Sequence, residues 1–167
     1  MTRVEMSGTY QIAVSDQQSA VEISESVVER IIRETLTVEG VLEAEISVAL
    51  VDDPTIHDVN RDHLDHDYPT DVISFLFEDE VLTEPGPRAP RGAGKRIEGE
   101  IIVSGDTAVR EAARFGWSPE NELTLYLVHG LLHLCGYDDL TDEEQPLMRE
   151  RERAVLALWG LKPHYDE

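Results

Sequence analysis

One stretch constrains this chain more than any other: His129-Gly-Leu-Leu-His133-Leu-Cys-Gly136-Tyr-Asp-Asp139. Two histidines four residues apart, inside an apolar run that starts near Leu123, lie about 40° apart around a helix and put their rings on one face. Side-chain nitrogens placed that way can grip one metal ion. Gly136 follows where a helix commonly ends, because a residue at ease with positive φ closes the last turn cheaply. The chain can then turn back and offer a third ligand from Tyr137, Asp138 or Asp139. Zinc in a catalytic site typically takes three protein ligands and keeps a fourth position for water. The stretch therefore reads as a metal site at the C-terminal end of a central helix.

The full spacing, His129-x-x-x-His133-x-x-Gly136-x-x-Asp139, has the ligand positions of the long zinc-protease motif, in which a glycine turn delivers the third ligand. Asp139 occupies that third place, and Asp138 reads as a capping or supporting acid. A carboxylate oxygen binds zinc at nearly the distance of an imidazole nitrogen, so Asp139 keeps the site tetrahedral while adding one negative charge. The protease motif also needs a glutamate directly after the first histidine as general base, and Gly130 stands there instead. Hydrolysis of peptide or amide bonds by that route lacks its base. A metal that acidifies water and polarises a substrate oxygen remains, and a phosphodiester is a reasonable target. Glu122, about 10 Å along the helix axis from His129, reads as structural or supporting. Cys135 points to the core as a small apolar residue.

The rest of the chain bounds the setting. Its 167 residues suit one domain with an ordinary core. No apolar run is long enough to span a bilayer and Met1 to Gly8 does not resemble a signal peptide, so a cytoplasmic protein without membrane contact is expected. A lone cysteine, Cys135, excludes an intrachain disulfide. The net charge of −21 argues against nucleic acid as a general partner, since binding phosphates calls for a basic surface. Arg88, Arg91, Lys95 and Arg96 nevertheless fall together with no acid between Pro85 and Ile97, which leaves room for a local basic patch.

Periodicity gives the elements. Tyr10 to Ser15 and Glu45 to Val51 alternate as strands. Between them Val27, Val28, Ile31, Ile32 and Leu36 follow helical spacing after an N-cap at Ser24. Asp52-Asp-Pro54 starts a helix that runs to Leu64, and His57, His63 and His66 fall on or beyond it as solvent-facing residues. Thr70 to Phe77 reads as a buried strand and Ile97 to Ser104 as another. The stretch from Glu78 to Lys95 reads as a long mobile loop, about 79–96, rich in Pro and Gly. Ser104 or Asp106 caps a helix with Ala108, Ala112, Ala113 and Phe115 inward. Ser118 and Pro119 open the histidine helix. Thr141 to Glu144 opens a last one, with Leu147, Val155, Leu158 and Trp159 as its apolar stripe.

The residues from His129 to Asp139 resemble the signature of the YbeY family, single-domain bacterial metal-dependent endoribonucleases implicated in ribosomal RNA maturation. Pro69-Thr-Asp-Val-Ile-Ser-Phe75 is similar to that family's second signature, and Gly99-Glu-Ile-Ile-Val-Ser104 to the strand after it. The resemblance implies an α+β fold, a small mixed sheet of about four strands packed with about five helices. It also implies zinc or another divalent ion on His129 and His133, with Asp139 where the family normally has a third histidine. The resemblance implies ribosomal RNA or ribosomal particles as partners and not DNA, which makes Arg88, Arg91, Lys95 and Arg96 of the basic patch the candidate RNA contacts. An arginine that the family carries before the Pro-Thr-Asp-Val signature, thought to contact RNA, is replaced here by Leu64, with Arg61 one helical turn earlier as its possible substitute. A non-catalytic ribosome-associated zinc protein is the alternative implied by these departures.

Overall fold

Alternating segments build one four-stranded mixed sheet in the computed structural model, which describes residues 9–164: β1 (Thr9–Asp16), β2 (Glu43–Val51), β3 (Val72–Val81) and β4 (Lys95–Ser104). The spatial order is β1-β2-β4-β3, with β1, β2 and β4 parallel and β3 antiparallel to β4. Helices α1 (Glu25–Val38), α2 (Asp53–Leu64), α3 (Gly105–Phe115), α4 (Pro119–Cys135) and α5 (Glu144–Leu156) surround it, and a 3-10 turn, Ala157–Trp159, follows. Ser24, Asp52, Ser104 and Ser118 each cap a helix by accepting a first-turn backbone N–H. Such a cap is worth about 1 kcal/mol.

The two sheet faces bury different residues. Ile46, Val48, Leu50, Ile101 and Val103 pack under α1 and α4, while Val51, Ile73 and Ile102 pack around Ile56 of α2. Helix α4 is apolar nearly all round because it is enclosed by the sheet, α1, α3 and α5. Leu123, Leu127, Leu131 and Leu132 are wholly buried, each stabilising the fold by roughly 1.5–3 kcal/mol. Gly130 lets the helix lie close on β3 and β4: a Cβ there would stand 3.0 Å from Ile101 Cγ2 and 3.0 Å from Ser74 Oγ. Ser74 Oγ donates to the Gly130 carbonyl at 3.0 Å across the same contact. No described helix is long and apolar enough to cross a membrane.

Four expectations are corrected. Strand β3 is at the sheet edge, so Leu76 and Phe77 are exposed rather than buried. The acidic residues after it continue the hairpin, with Glu80 opposite Arg96 and Val81 opposite Lys95, so the connection begins at Leu82 rather than Glu78. Leu82 N–H to Gly94 O at 2.8 Å and Gly94 N–H to Gly40 O at 3.0 Å anchor that connection to the body. In α3 Ala113 faces solvent, and Thr107 joins Ala108 and Ala112 inside. Leu147 of α5 and Leu158 of the 3-10 turn after it are exposed, and Met148, Glu152, Val155 and Leu156 form the inner face of α5. The buried stripe of α5 therefore includes a carboxylate, Glu152, which is bonded to His129 of α4.

Candidate metal centre

Helix α4 positions the two histidines and its ending positions the acid. Gly136 takes φ +112°, and the Tyr137 N–H returns to Leu132 O at 3.0 Å. This left-handed closure sends the chain back across the end of α4, carrying Asp139 over the imidazoles. His129 Nε2 and His133 Nε2 lie 3.1 Å apart. Asp139 Oδ2 is 3.4 Å from His129 Nε2, and Oδ1 is 3.6 Å from His133 Nε2. Tetrahedral ligands about 2.0–2.1 Å from a zinc ion stand about 3.3–3.4 Å from one another. The three donors therefore fit a small divalent cation. Asp138 turns away and accepts the Leu140 N–H at 3.0 Å.

Both rings are held from behind. His129 Nδ1 is hydrogen-bonded to Glu152 Oε2, and His133 Nδ1 meets Tyr137 O at 3.1 Å. A donating Nδ1–H leaves the Nε2 lone pair facing the other donors, the arrangement that orients and strengthens a metal-bound imidazole. Burial acts to lower the pKa of His129, but the hydrogen bond and charge of Glu152, with Asp139 and Asp71 beyond, more than offset it and leave the pKa above the ordinary histidine value. Burial, then the charge of His129, pushes His133 below that value. The pair thus holds one proton readily and a second poorly.

Glu152 is the residue that sequence reading missed. Its signal was present: it stands four after Met148 and three before Val155, an acid on an otherwise apolar helical stripe. Two clefts meet at His129, one of about 150 Å³ bounded by Tyr126, Arg149 and Glu152, the other of about 360 Å³ bounded by Leu64, Tyr68, Ser74 and His133. Asp71, from the Pro69-Thr-Asp-Val stretch, lines both.

The candidate RNA contacts lie elsewhere. Arg88 is exposed on the connection. Arg91 pairs with Glu144 at 2.6 Å and donates to Gly136 O at 3.0 Å. Lys95 donates to Cys135 O at 3.3 Å, and Arg96 pairs with Glu78, Glu43 and Glu98. Arg91, Lys95 and Arg96 thus brace the hairpin and the α4 turn, and none of the four lines either cleft. Arg61 is also apart from the clefts, exposed and bonded to Asp58 and Asp62. Leu64 lines the larger cleft itself. Glu122 is buried and bonded to His164 Nε2 at 2.6 Å, and Cys135 is wholly buried, its thiol pKa pushed up by burial.

The model of a family described as Endoribonuclease YbeY matches residues 11–160. A protein named Endoribonuclease YbeY from Moorella thermoacetica is 40% identical over 154 residues, covering 90% of this chain and 97% of its own. One of the same name from Salinibacter ruber is 37% identical over 146 residues, covering 87% and 89%. The solution structure of TM1509 from Thermotoga maritima superposes with a TM-score of 0.57 at 25% identity, covering 91% of this chain and 90% of the other.

Proposed function

Because the chain belongs to the YbeY family of endoribonucleases, we propose that it cuts single-stranded segments of ribosomal RNA during maturation and quality control. It does so in the cytoplasm with one divalent ion, zinc in the first instance, on His129, His133 and Asp139. The observation that carries the reading is the convergence of these three side chains, whose donor atoms lie within 4.8 Å of one another.

When bound, such an ion acidifies a water molecule and polarises a phosphoryl oxygen. The chain's own contribution is orientation and charge. Glu152 and the Tyr137 carbonyl hold the two Nδ1–H groups, which fixes both rings before any ion arrives. Asp139 makes the donor set one charge more negative than three imidazoles, so an ion held there would acidify water less than one held by three histidines. Asp71, shared by both clefts, adds a further carboxylate charge that acts on His129. Gly130 is packed against Ile101 and Ser74, so the protease position for a general base faces the sheet rather than the donors. That disfavours peptide hydrolysis.

A non-catalytic ribosome-associated zinc protein is the second reading, favoured by Leu64 in the cleft where the family's arginine is expected. Metal content and RNA cleavage, measured together on native protein and on His133→Ala, separate the two. The first reading expects about one ion per chain and cleavage of single-stranded RNA in the native protein, with both lost in the variant. Stoichiometric metal without cleavage selects the second reading. Cleavage unaffected by His133→Ala rejects the metal mechanism.

A further inference from the structure

The segment after α2 is built rather than loose. Asp65 takes φ +62° and reverses the chain. The His66 N–H then bonds to Asn60 O at 3.2 Å, and the Asn60 side chain, only 2% exposed, donates to Tyr68 O at 2.8 Å. One buried asparagine thus anchors both ends of residues 66–68. Between those anchors the His66 and Tyr68 rings stack, with centroids 5.4 Å apart and planes within 11°, and the Tyr68 hydroxyl meets His66 Nδ1 at 3.2 Å. Tyr68 remains 52% exposed. Both rings line the larger cleft together with His129, His133 and the apolar side chains of Leu64 and Val72.

No lysine or arginine lines that cleft. Beyond an ion on the three donors a phosphate would find no lysine or arginine there, and a chain of net charge −21 gains little from counterion release on RNA. Within this largely polar lining the stacked His66 and Tyr68 rings offer a π face instead, which every nucleobase can use. A base inside a duplex has both faces covered, so only an unpaired base can enter.

We propose that His66 and Tyr68 form a nucleobase-stacking subsite that takes an unpaired base of the RNA strand whose phosphate lies at His129 and His133. The proposal rests on the endoribonuclease reading and adds the source of substrate affinity and of the preference for single strands. Stacking, rather than charge, holds the strand on this side of the centre.

The test compares native protein, Tyr68→Ala and Tyr68→Trp, each with unchanged metal content, in binding oligoadenylate and an abasic oligomer of equal length and equal phosphate number. Tyr68→Ala is expected to bind oligoadenylate about tenfold more weakly, equivalent to about 1.4 kcal/mol, and the abasic oligomer unchanged. Tyr68→Trp is expected to restore oligoadenylate binding, with the introduced indole fluorescence quenched by oligoadenylate and not by the abasic oligomer. The salt dependence of binding stays the same in all three. Equal loss for both oligomers, or no loss for either, overturns the subsite. Cleavage by native protein with no dependence on Tyr68 rejects the subsite alone. Quenching by oligoadenylate in a protein that cleaves no RNA supports the subsite and rejects the nuclease reading.

Discussion

Helix α4 carries two acid–imidazole pairs with buried carboxylates, and only one of them adjoins the candidate metal centre. Near its end His129 is bonded to Glu152 of α5, and near its start Glu122 is bonded to His164. Both carboxylates are almost wholly buried. The difference lies at the second nitrogen of each ring. His129 Nε2 faces His133 and Asp139 across 3.1 and 3.4 Å. His164 Nδ1 is buried without a hydrogen-bond partner among the described residues, and its ring is stacked on Phe115 at 3.9 Å and edged by Trp117. A buried acid that grips an imidazole is therefore no evidence of chemistry by itself. The pair at the end of α4 supports function because its free nitrogen points at other donors, whereas the pair at the start fastens the chain after the last helical turn.

Substitution of each acid should separate these roles. Glu152→Gln keeps shape and removes charge, and metal affinity is expected to fall about 10- to 100-fold, the usual cost of losing the support behind a ligand. Competition with a chromogenic chelator measures it, and unchanged affinity would merge the two pairs into one structural class. Gly130→Ala tests the site end of α4 from beneath. The added methyl meets Ile101 Cγ2 and Ser74 Oγ at 3.0 Å, so the fold should lose about 1–3 kcal/mol by overpacking in urea melts. Nuclear magnetic resonance should show the His129 and His133 ring signals moving while that of His164 stays. Glu122→Gln should cost about 1 kcal/mol of stability, the net worth of one hydrogen bond, and leave metal affinity unaltered. A metal effect there as large as that of Glu152→Gln would erase the distinction.

The same contrast explains what was legible in the sequence. Caps and turns are local, so Ser24, Asp52 and Ser118 could be read from their own neighbours, as could the Gly136 closure that brings Asp139 back. Pairing across long separations is not local. Glu152 joins His129 only after α5 folds onto α4, and an acid looks solvent-facing until its phase against Met148 and Val155 is checked. The hairpin extension failed for a related reason. Glu78, Asp79 and Glu80 read as loop on propensity, yet Arg96 and Lys95 on the opposite strand supply partners that make strand pairing favourable there. Those partnerships also show why a run of cations without intervening acids is not an unpaired one: for Arg91, Lys95 and Arg96 the acids arrive from other elements. Leu76 and Phe77 could not be placed because their exposure follows from strand order, which alternation does not encode.

A third acid near the centre sharpens the comparison with the smallest expected effect. Glu144 is bonded to Arg91, which also donates to Gly136 O and lies over the Tyr137 ring at 5.2 Å, so the pair fastens the turn that delivers Asp139. Unlike Glu152 it is in contact with solvent. The hydrogen bond to Arg91 holds the Glu144 carboxyl below its ordinary value of 4.5. A carboxylate whose folded pKa is depressed stabilises the fold at pH values above the unfolded pKa and loses that contribution as pH falls through the folded one. Urea midpoints of native protein and Glu144→Gln should therefore differ slightly at pH 7 and converge as pH falls below about 4.5. Added salt at pH 7 should close the same gap, because exposed pairs are screened, while the Glu152→Gln loss of metal affinity persists at every salt concentration. A gap at pH 7 that survives both acid and salt would mean that Glu144 acts by packing and that the buried pair owes its role to something other than burial.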